Sequence, residues 1–391
     1  MKTLFGPETF TGFGSTRYRP SELPTESARH QGRAKTLHEA VRTQAPKSPG
    51  VYGMLDRDGV LIYVGKAKSL RCRLMSYFRP NSRNPKAGRI IEETRSLLWE
   101  QADSEFAALL RELELIRRFL PRFNSQGKPG RARYVYICLG REPAPYAYVS
   151  RKPNGKEAAC FGPIASSAHA KEAVRRLNDQ FGLRDCAQSQ PMRFADQRDL
   201  FDEEHTPGCL RYEIGTCCGP CVGGCSRRQY RNRLGKAVAF LNGEDEATLP
   251  NIEREMNRAS ASLQFEKAGS LRDKLVALQW AHDRLTWLRN ARERHSFVYR
   301  QVGRAGRPLW YLIHRGQVGR VIVEPRTKRQ KAEADRLIAQ VFRDRDETGL
   351  TPVAEVDSVL LVAAWFRKNP EEKSKVKSVK GVKDPGASAT D

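Results

Sequence analysis

The chain has 391 residues, more than one hydrophobic core usually organises, so its length predicts several domains. Its 69 Lys and Arg residues outnumber 45 Asp and Glu residues, and the net charge of +24 favours a polyanionic partner. Charge alone does not decide whether the partner is DNA, RNA or an acidic membrane surface, or whether the protein is merely soluble and basic. The sequence has no run of ~20 apolar residues and no signal-peptide pattern, so we expect a cytoplasmic location and no membrane.

The first 126 residues contain a flexible part followed by a compact one. Residues 1–44 are rich in Gly, Ser, Thr and Arg without a sustained period, which predicts a basic flexible arm. Two β-rich runs around an Asp-Gly turn at residues 56–59 predict a hairpin. Apolar spacing and helix-capping residues then predict three helices, over residues 70–78, 87–99 and 104–119.

Strand and helix signals alternate in the rest of the chain. We expect strands at 134–139, 146–150, 297–299, 309–314 and 318–323, and helical patterns at 168–181, 228–242, 251–292, 331–344 and 356–368. The predicted fold is therefore an α+β multidomain protein. Its predicted parts are a basic arm (1–44), a small α/β domain (45–126), a central Cys-rich region (127–245), a helical hairpin (246–282), a small α/β module (293–370) and a Lys-rich disordered tail (371–391).

Several polar side chains should converge where the hairpin meets the next helices. The candidates are Tyr52, Tyr63, Lys66, Arg73, Tyr77 and Glu112. Phosphodiester hydrolysis requires activation of water, a cation on the phosphoryl oxygens and neutralisation of developing charge. A tyrosine hydroxyl, a carboxylate-bound Mg²⁺ and an arginine can supply these. Taken singly, each residue is better explained as an ordinary strand aromatic or a solvated helix residue than as a catalytic one.

The spacing of these residues resembles the GIY-YIG nuclease family. Gly50-Val51-Tyr52 and Tyr63-Val64-Gly65 are similar to its two signatures, and the residues around them resemble the UvrC branch. The resemblance implies that Tyr63 orients or deprotonates water, that Arg73 stabilises the transition state, and that Glu112 is the single protein ligand of Mg²⁺ or Mn²⁺. It also implies supporting polar roles for Tyr52, Lys66, Tyr77 and Asn124.

Six of the nine cysteines lie within forty residues: Cys186, Cys209, Cys217, Cys218, Cys221 and Cys225. In a chain without a signal peptide, such clustering favours metal or iron–sulfur ligation over disulfides, and the spacing alone does not choose between them. The segment resembles the central cysteine region of UvrC. That resemblance implies a [4Fe–4S] cluster, with zinc as the alternative, held by Cys186, Cys209, Cys217 and Cys221.

Apolar residues at helical spacing predict two short helices joined near residues 264–265. A hairpin this small should dock either within its own chain or on a partner. The segment resembles the UVR motif, by which UvrC contacts UvrB. It implies a UvrB-like helicase subunit as partner, contacted through Phe265, Ala268, Leu271 and Arg272.

About a hundred residues follow Arg292, too few for both the RNase H-like nuclease and the helix-hairpin-helix modules of full-length UvrC. We therefore expect one nuclease centre and one incision. We also expect four aromatic residues of the last module to belong to a core rather than to a base-stacking platform: Tyr299, Trp310, Trp365 and Phe366.

Together these expectations describe a metal-dependent, structure-directed endonuclease that acts on damaged double-stranded DNA. It would make a single 3′-side incision in nucleotide excision repair after recruitment by a UvrB-type partner. Two alternatives remain open. One is a non-catalytic DNA-binding adaptor that occupies the UvrB site, and the other is a GIY-YIG nuclease acting on branched or foreign DNA outside repair.

Overall fold

The computed structural model describes residues 10–20, 23, 26–79, 85–124, 134–197, 209–304, 306–343 and 353–379. The chain forms two compact units. The first unit combines residues 1–129 with 291–345 and 357–391, and the second consists of residues 130–290 and 346–356.

The N-terminal part of the first unit is a four-stranded antiparallel sheet covered by helices on both faces. Its strand order is β1-β4-β2-β3. The elements in chain order are β1 (Ser27–Gln31), α1 (Ala34–Gln44), β2 (Gly50–Leu55), β3 (Leu61–Ala67), α2 (Leu70–Met75), α3 (Pro85–Glu93), β4 (Ser96–Gln101) and α4 (Glu105–Phe119).

The strand β2 is buried along its whole length because the sheet has helices on both sides. Successive residues of a strand point to opposite faces. Val51 accordingly packs with Leu115 and Ile116 of α4. Its neighbour Tyr52 packs on the other face with Leu37 of α1. This alternation places the hairpin tyrosines on the side of the sheet away from the α4 apolar face.

Two predictions for this region are wrong. Residues 1–44 are not a flexible arm throughout, because β1 pairs with β4 and α1 buries Leu37 and Val41. The helix predicted over 87–99 ends at Glu93, and Ser96–Gln101 is a strand instead. The short apolar run in β4 suits a strand because it pairs with β1 on one side and β2 on the other, which satisfies its backbone hydrogen bonds.

The described part of the N-terminal segment is tied to α4 by a buried arginine. The Arg111 guanidinium is 3.1 Å from the Glu100 carboxylate, and both side chains are almost completely buried. It also donates hydrogen bonds to the backbone carbonyls of Gly14 and Ser15. Phe10 and Phe13 are buried against the same face. The segment therefore belongs to the core of the domain.

The second unit contains a three-stranded antiparallel sheet of order β6-β5-β7 and a set of helices. Its core joins the sheet to apolar residues of all the longer helices. The sequence did not predict β7. The elements are β5 (Tyr134–Leu139), β6 (Ala147–Ser150), β7 (Ala159–Ala165), α5 (Ser167–Phe181), α6 (Leu210–Glu213), α7 (Arg227–Asn242), α8 (Thr248–Ala261) and α9 (Phe265–Glu293).

The predicted helical hairpin is present as α8 and α9, with Leu263 in a left-handed conformation at the turn. The prediction of two short helices is wrong for α9, which has 29 residues. It continues past the predicted motif because Leu278, Ala281 and Leu285 extend its buried stripe within the core of the second unit.

The C-terminal part of the first unit is a second antiparallel sheet of order β10-β9-β8-β11. Tyr299, Trp365 and Phe366 belong to its core, as predicted, and Trp310 is half-buried. The prediction of a disordered tail over residues 371–391 is wrong at its start, because Val376 and Lys377 form the strand β11, which pairs with β8. Residues 380–391 lie outside the described residues. The elements are β8 (Phe297–Val302), β9 (Pro308–His314), β10 (Gln317–Val323), α10 (Lys328–Val341), α11 (Val353–Lys368) and β11 (Val376–Lys377).

This C-terminal part packs on the helix α4. Phe106 is completely buried, and the ring centroids of Tyr299, Tyr311 and Trp365 lie 5.2 to 5.4 Å from its own. Arg117 of α4 also forms an ion pair with Asp357 at 3.4 Å. Among the described residues, no helix combines the length and apolar character needed to cross a membrane.

Candidate active site

Three tyrosine rings meet beside the hairpin of β2 and β3. The ring centroids of Tyr52, Tyr63 and Tyr77 are 6.0 to 6.4 Å apart, and the hydroxyls of Tyr52 and Tyr77 are 2.9 Å apart. Burial raises the pKa of each hydroxyl well above its usual value of 10.0. All three are therefore neutral at physiological pH, and a neutral Tyr63 can orient a water molecule by hydrogen bonding.

Arg73 connects this group to the surface. Its Nε donates a hydrogen bond of 3.3 Å to the Tyr52 hydroxyl, and its Cζ lies 5.4 Å from the centre of the Tyr77 ring. The neighbouring Leu70 and Leu74 are buried, which fixes the orientation of α2. The residue itself stays exposed, so its guanidinium is accessible to a phosphate.

Glu112 projects from α4 toward the end of β3. Its Oε1 accepts a hydrogen bond of 3.1 Å from the backbone N–H of Lys66. Burial raises the pKa of this carboxyl to about 6, while the charges of Lys66 and Arg73 act in the opposite direction. The carboxylate is thus mostly ionised near pH 7 although water is largely excluded from it.

The donor set fits a divalent cation such as Mg²⁺. Mg²⁺ prefers oxygen ligands and often takes one or two carboxylates with water in its other positions. Glu112 supplies a half-buried carboxylate with an oxygen that makes one protein hydrogen bond, which leaves other lone pairs for a cation. A bound cation would supply charge on the phosphoryl oxygens.

Lys66 and Asn124 contribute differently from the sequence-based expectation. It is the backbone N–H of Lys66 that contacts Glu112. The buried Asn124 amide accepts from the Val64 N–H at 2.9 Å and donates to the Val64 carbonyl at 2.8 Å. Asn124 thus continues the hydrogen bonding of edge strand β3 next to Tyr63. Its contacts in the structure are with the backbone rather than with the other candidate site residues.

Sequence reasoning missed the buried pair that supports this site. Arg111 precedes Glu112 in α4 and is held by Glu100 of β4 and by Glu114. These ion pairs fix the rotation of α4 about its own axis, and so the direction in which Glu112 projects. The run of charged residues in α4 gave no signal for it, because a charged helix residue is usually exposed.

The four predicted cluster ligands lie in one neighbourhood but do not form a metal site. Cys186 and Cys209 lie close enough to Cys221 to raise the pKa of its thiol. Cys221 in turn raises the pKa of the Cys217 thiol. Burial raises the pKa of Cys217 to about 11, so this thiol is protonated at neutral pH. In the described ranges, no group of three or more His, Cys, Asp or Glu residues is arranged to hold a metal ion. The structure therefore does not support the iron–sulfur or zinc prediction.

The predicted partner residues divide into two groups. Phe265 is 66% exposed, and Arg272 is also exposed. Leu271 is buried in the core of the second unit, and Ala268 packs against that core. Two of the four residues are therefore accessible to a partner, together with Leu263 at the turn, which is 73% exposed.

Three family models match consecutive parts of the chain. A UvrC-like GIY-YIG domain matches residues 48–125, a UvrC/Cho excinuclease middle domain matches 134–240, and a UvrB/uvrC motif matches 246–279. The chain belongs to the UvrC-like GIY-YIG family. The residues of the tyrosine, arginine and glutamate cluster all lie within the first match.

Curated relatives agree with this assignment. The proteins named UvrABC system protein C from Cereibacter sphaeroides and Nitrobacter hamburgensis are 33% and 35% identical, each over 66% of this chain. The protein of the same name from Methanosarcina acetivorans is 34% identical over 61% of the chain. The chain spans 38%, 36% and 43% of these relatives, which is less than half of their length.

A solved structure is similar to part of the chain. It is the GIY-YIG N-terminal endonuclease domain of UvrC from Thermotoga maritima, bound to its catalytic divalent cation, magnesium. It is 36% identical, and the match covers 24% of this chain and 99% of that domain, with a TM-score of 0.22.

Proposed function

We propose that this chain is a divalent-metal-dependent DNA endonuclease of nucleotide excision repair. The observation that carries the proposal is the position of Glu112. Its half-buried carboxylate lies against the Lys66 amide, and the charges of Arg73 and Lys66 both act on it. A carboxylate that is desolvated and yet ionised near neutral pH is an expensive feature for a fold to retain without a ligand.

Each residue of the cluster has a distinct task in the proposed hydrolysis. Glu112 would hold Mg²⁺ or Mn²⁺, and the cation would polarise the scissile phosphate. Tyr63 would orient the attacking water through its neutral hydroxyl. Arg73 is exposed and cationic, so it would offset the negative charge that develops on the phosphoryl oxygens. Tyr52 and Tyr77 would hold Arg73 in place through the hydrogen bonds at the Tyr52 hydroxyl, and their rings would position the Tyr63 ring that packs against them.

The proposed substrate is damaged double-stranded DNA, cut once on the 3′ side of the lesion. The large excess of Lys and Arg supports a nucleic-acid substrate. A single cut is supported by the presence of one such tyrosine, arginine and glutamate cluster among the residues that the structure describes. DNA shape and the partner would provide specificity, since phosphate contacts carry no sequence information.

Nicking of a labelled duplex with one bulky adduct tests this proposal. Wild type is compared with Glu112→Gln in the presence of UvrA, UvrB, ATP and Mg²⁺. Glu92→Gln is the matched control, because Glu92 is an exposed carboxylate of the same domain. We expect a single 3′-side nick that Glu112→Gln abolishes and Glu92→Gln leaves unchanged. Two nicks would refute the single incision, and UvrB binding without any nick would favour the adaptor.

We further propose that a UvrB-type partner binds the tip of the α8–α9 hairpin. Leu263 and Phe265 expose 73% and 66% of their surface there, and adjacent apolar residues with such exposure are typical of interaction sites. A pull-down with UvrB should lose most of its signal for Phe265→Ala. Val302→Ala removes an apolar side chain of similar exposure in the first unit and should bind normally. Equal binding by both variants would refute this contact.

A further inference from the structure

The helix α7 of the second unit has an unusual charge distribution. Its 16 residues include five basic side chains and no acidic one. The buried face carries Tyr230, Ala237, Phe240 and Leu241, which pack into the core of the unit. The opposite face is exposed at Arg228, Arg231, Asn232, Gly235 and Lys236. We call these five exposed residues the α7 basic face.

The α7 basic face is held rigidly. A capping box between Ser226 and Gln229 closes the start of the helix, and Gly243 ends it in a left-handed conformation. The buried Tyr230 donates a hydrogen bond of 3.0 Å to the Pro145 carbonyl. A face fixed in this way presents its charges without losing the conformational freedom that a flexible loop would lose on binding.

The centre of the α7 basic face is open to close approach. Gly235 lies between the basic residues along the helix, and a Cβ added there would meet nothing within 4 Å. Helical glycine costs roughly 1 kcal/mol relative to alanine, so its presence is not explained by helix stability. Without a side chain at this point, a phosphodiester backbone can lie against the helix while flanking side chains reach its phosphates.

Among the described residues, neighbouring acidic groups do not neutralise this face. Arg231 lies 3.8 Å from Glu142, and more than half of each side chain is exposed, so the pair contributes little and readily exchanges partners. Arg227, at the edge of the face, is turned toward the ring of Phe194 instead. Arg228 and Lys236 are exposed, so their charges are available to a polyanion.

We propose that the α7 basic face binds the phosphate backbone of duplex DNA. This is a contact of the middle domain, made by residues that lie outside the tyrosine, arginine and glutamate cluster. It rests on the proposed function in taking DNA as the substrate, and it adds a sequence-independent anchor to it. Side chains at the two ends of the face would contact phosphates, and Gly235 would lie beneath the backbone between them.

Salt-dependent binding of the intact chain to an undamaged duplex tests the proposal. All proteins carry Glu112→Gln and are measured in EDTA by fluorescence anisotropy, so a failure of the nuclease proposal cannot affect the result. The first variant combines Arg228→Gln, Arg231→Gln and Lys236→Gln. Its control removes three exposed charges from the helical hairpin: Arg254→Gln, Arg258→Gln and Lys267→Gln.

We expect the α7 variant to bind roughly tenfold more weakly than its control at moderate salt. The slope of log K against log salt should become shallower by about 2 to 3, because each phosphate contact contributes about 0.9. Equal slopes and affinities for the two variants would overturn the proposal. An RNA duplex of the same length is the competitor, and a loss confined to RNA would overturn it as well.

A substitution that leaves the net charge unchanged provides a second measurement. Gly235→Gln adds a side chain at the centre of the face and replaces a helical glycine by a better helix former, so folding is preserved. We expect DNA binding to weaken by about threefold or more. Gly269→Gln in α9 is the control, since a Cβ at Gly269 also meets nothing within 4 Å. Equal binding by the two glycine variants would contradict the close approach.

Discussion

Tyr52 and Gly65 lie directly opposite each other on β2 and β3, and the glycine leaves the space that the tyrosine occupies. A Cβ on Gly65 would lie 2.4 Å from the Tyr52 hydroxyl oxygen and 2.5 Å from the ring carbon that bears it. Such contacts require the ring to move. Gly65 is therefore required by packing, since its side of the strand must be empty for Tyr52 to reach Tyr77 and Arg73.

The variant Gly65→Ala should lose activity while it still folds. The added methyl group displaces the Tyr52 hydroxyl, which then no longer holds Arg73 and Tyr77 in register. A misplacement of about 1 Å at a reacting centre costs roughly a hundredfold in rate, and we expect a loss of that size in the nicking assay. Gly88→Ala in α3 is the control, because a Cβ there meets nothing within 4 Å. Normal nicking by Gly65→Ala would contradict the packing argument.

Asn124→Ala should affect stability more than chemistry. The substitution leaves the Val64 N–H and carbonyl without their partner in a buried position. Each unsatisfied group costs about 1–3 kcal/mol, so we expect the free energy of unfolding in urea to fall by about 2 kcal/mol or more. Well below the unfolding temperature, nicking should fall less than tenfold. A loss as complete as that of Glu112→Gln, with unchanged stability, would instead place Asn124 in the chemistry.

The hairpin and the helix α4 were predictable because their signals are local. The Asp-Gly turn selects the pairing of β2 with β3, and the structure confirms both strands. Ser104 lies at the predicted start of the helix α4, and its hydroxyl does accept a hydrogen bond from the Ala107 N–H at 3.1 Å. Since the turn and the cap act within a few residues, their neighbours in sequence are enough to identify them.

The strands β1 and β4 were missed because their stabilisation is not local. Arg29 of β1 pairs with Leu98 of β4, and no signal near either residue reveals the other. The buried Arg111–Glu100 pair escaped prediction for the same reason, since burial of two charged residues depends on elements distant in sequence. Tyr63, Arg73 and Glu112 came from the spacing of a family pattern. The structure then showed that Glu112 accepts a hydrogen bond from a backbone N–H, that of Lys66, which the pattern does not reveal.

Phe106→Ala should weaken the whole first unit rather than α4 alone. The Phe106 ring is completely buried among Tyr299, Tyr311 and Trp365. Truncation of such a phenylalanine leaves a cavity and typically costs about 3–5 kcal/mol. We expect a loss of this size in chemical denaturation. Phe265→Ala, at an exposed position, should change stability by less than about 0.5 kcal/mol. Similar effects of the two variants would contradict the role of Phe106 as a core residue.

Glu112→Gln should stabilise the metal-free protein at neutral and alkaline pH. Burial raises the folded-state pKa of Glu112 from 4.5 to about 6, so the ionised carboxylate is less stable in the folded protein than in the unfolded chain. A shift of this size corresponds to about 2 kcal/mol above pH 6. Glutamine retains an oxygen that can accept from the Lys66 N–H but carries no charge.

The size of this effect depends on pH between the two pKa values of 4.5 and about 6. Below pH 4.5 the carboxyl is protonated in both states and wild type bears no cost, so the two proteins should be equally stable there. The advantage of Glu112→Gln should grow between pH 4.5 and 6 and stay constant above it. Urea denaturation in EDTA at about pH 3.5 and at pH 8 measures both limits. A variant less stable than wild type at pH 8 would show that Glu112 supports the fold, rather than being held ready for a cation at a cost in stability.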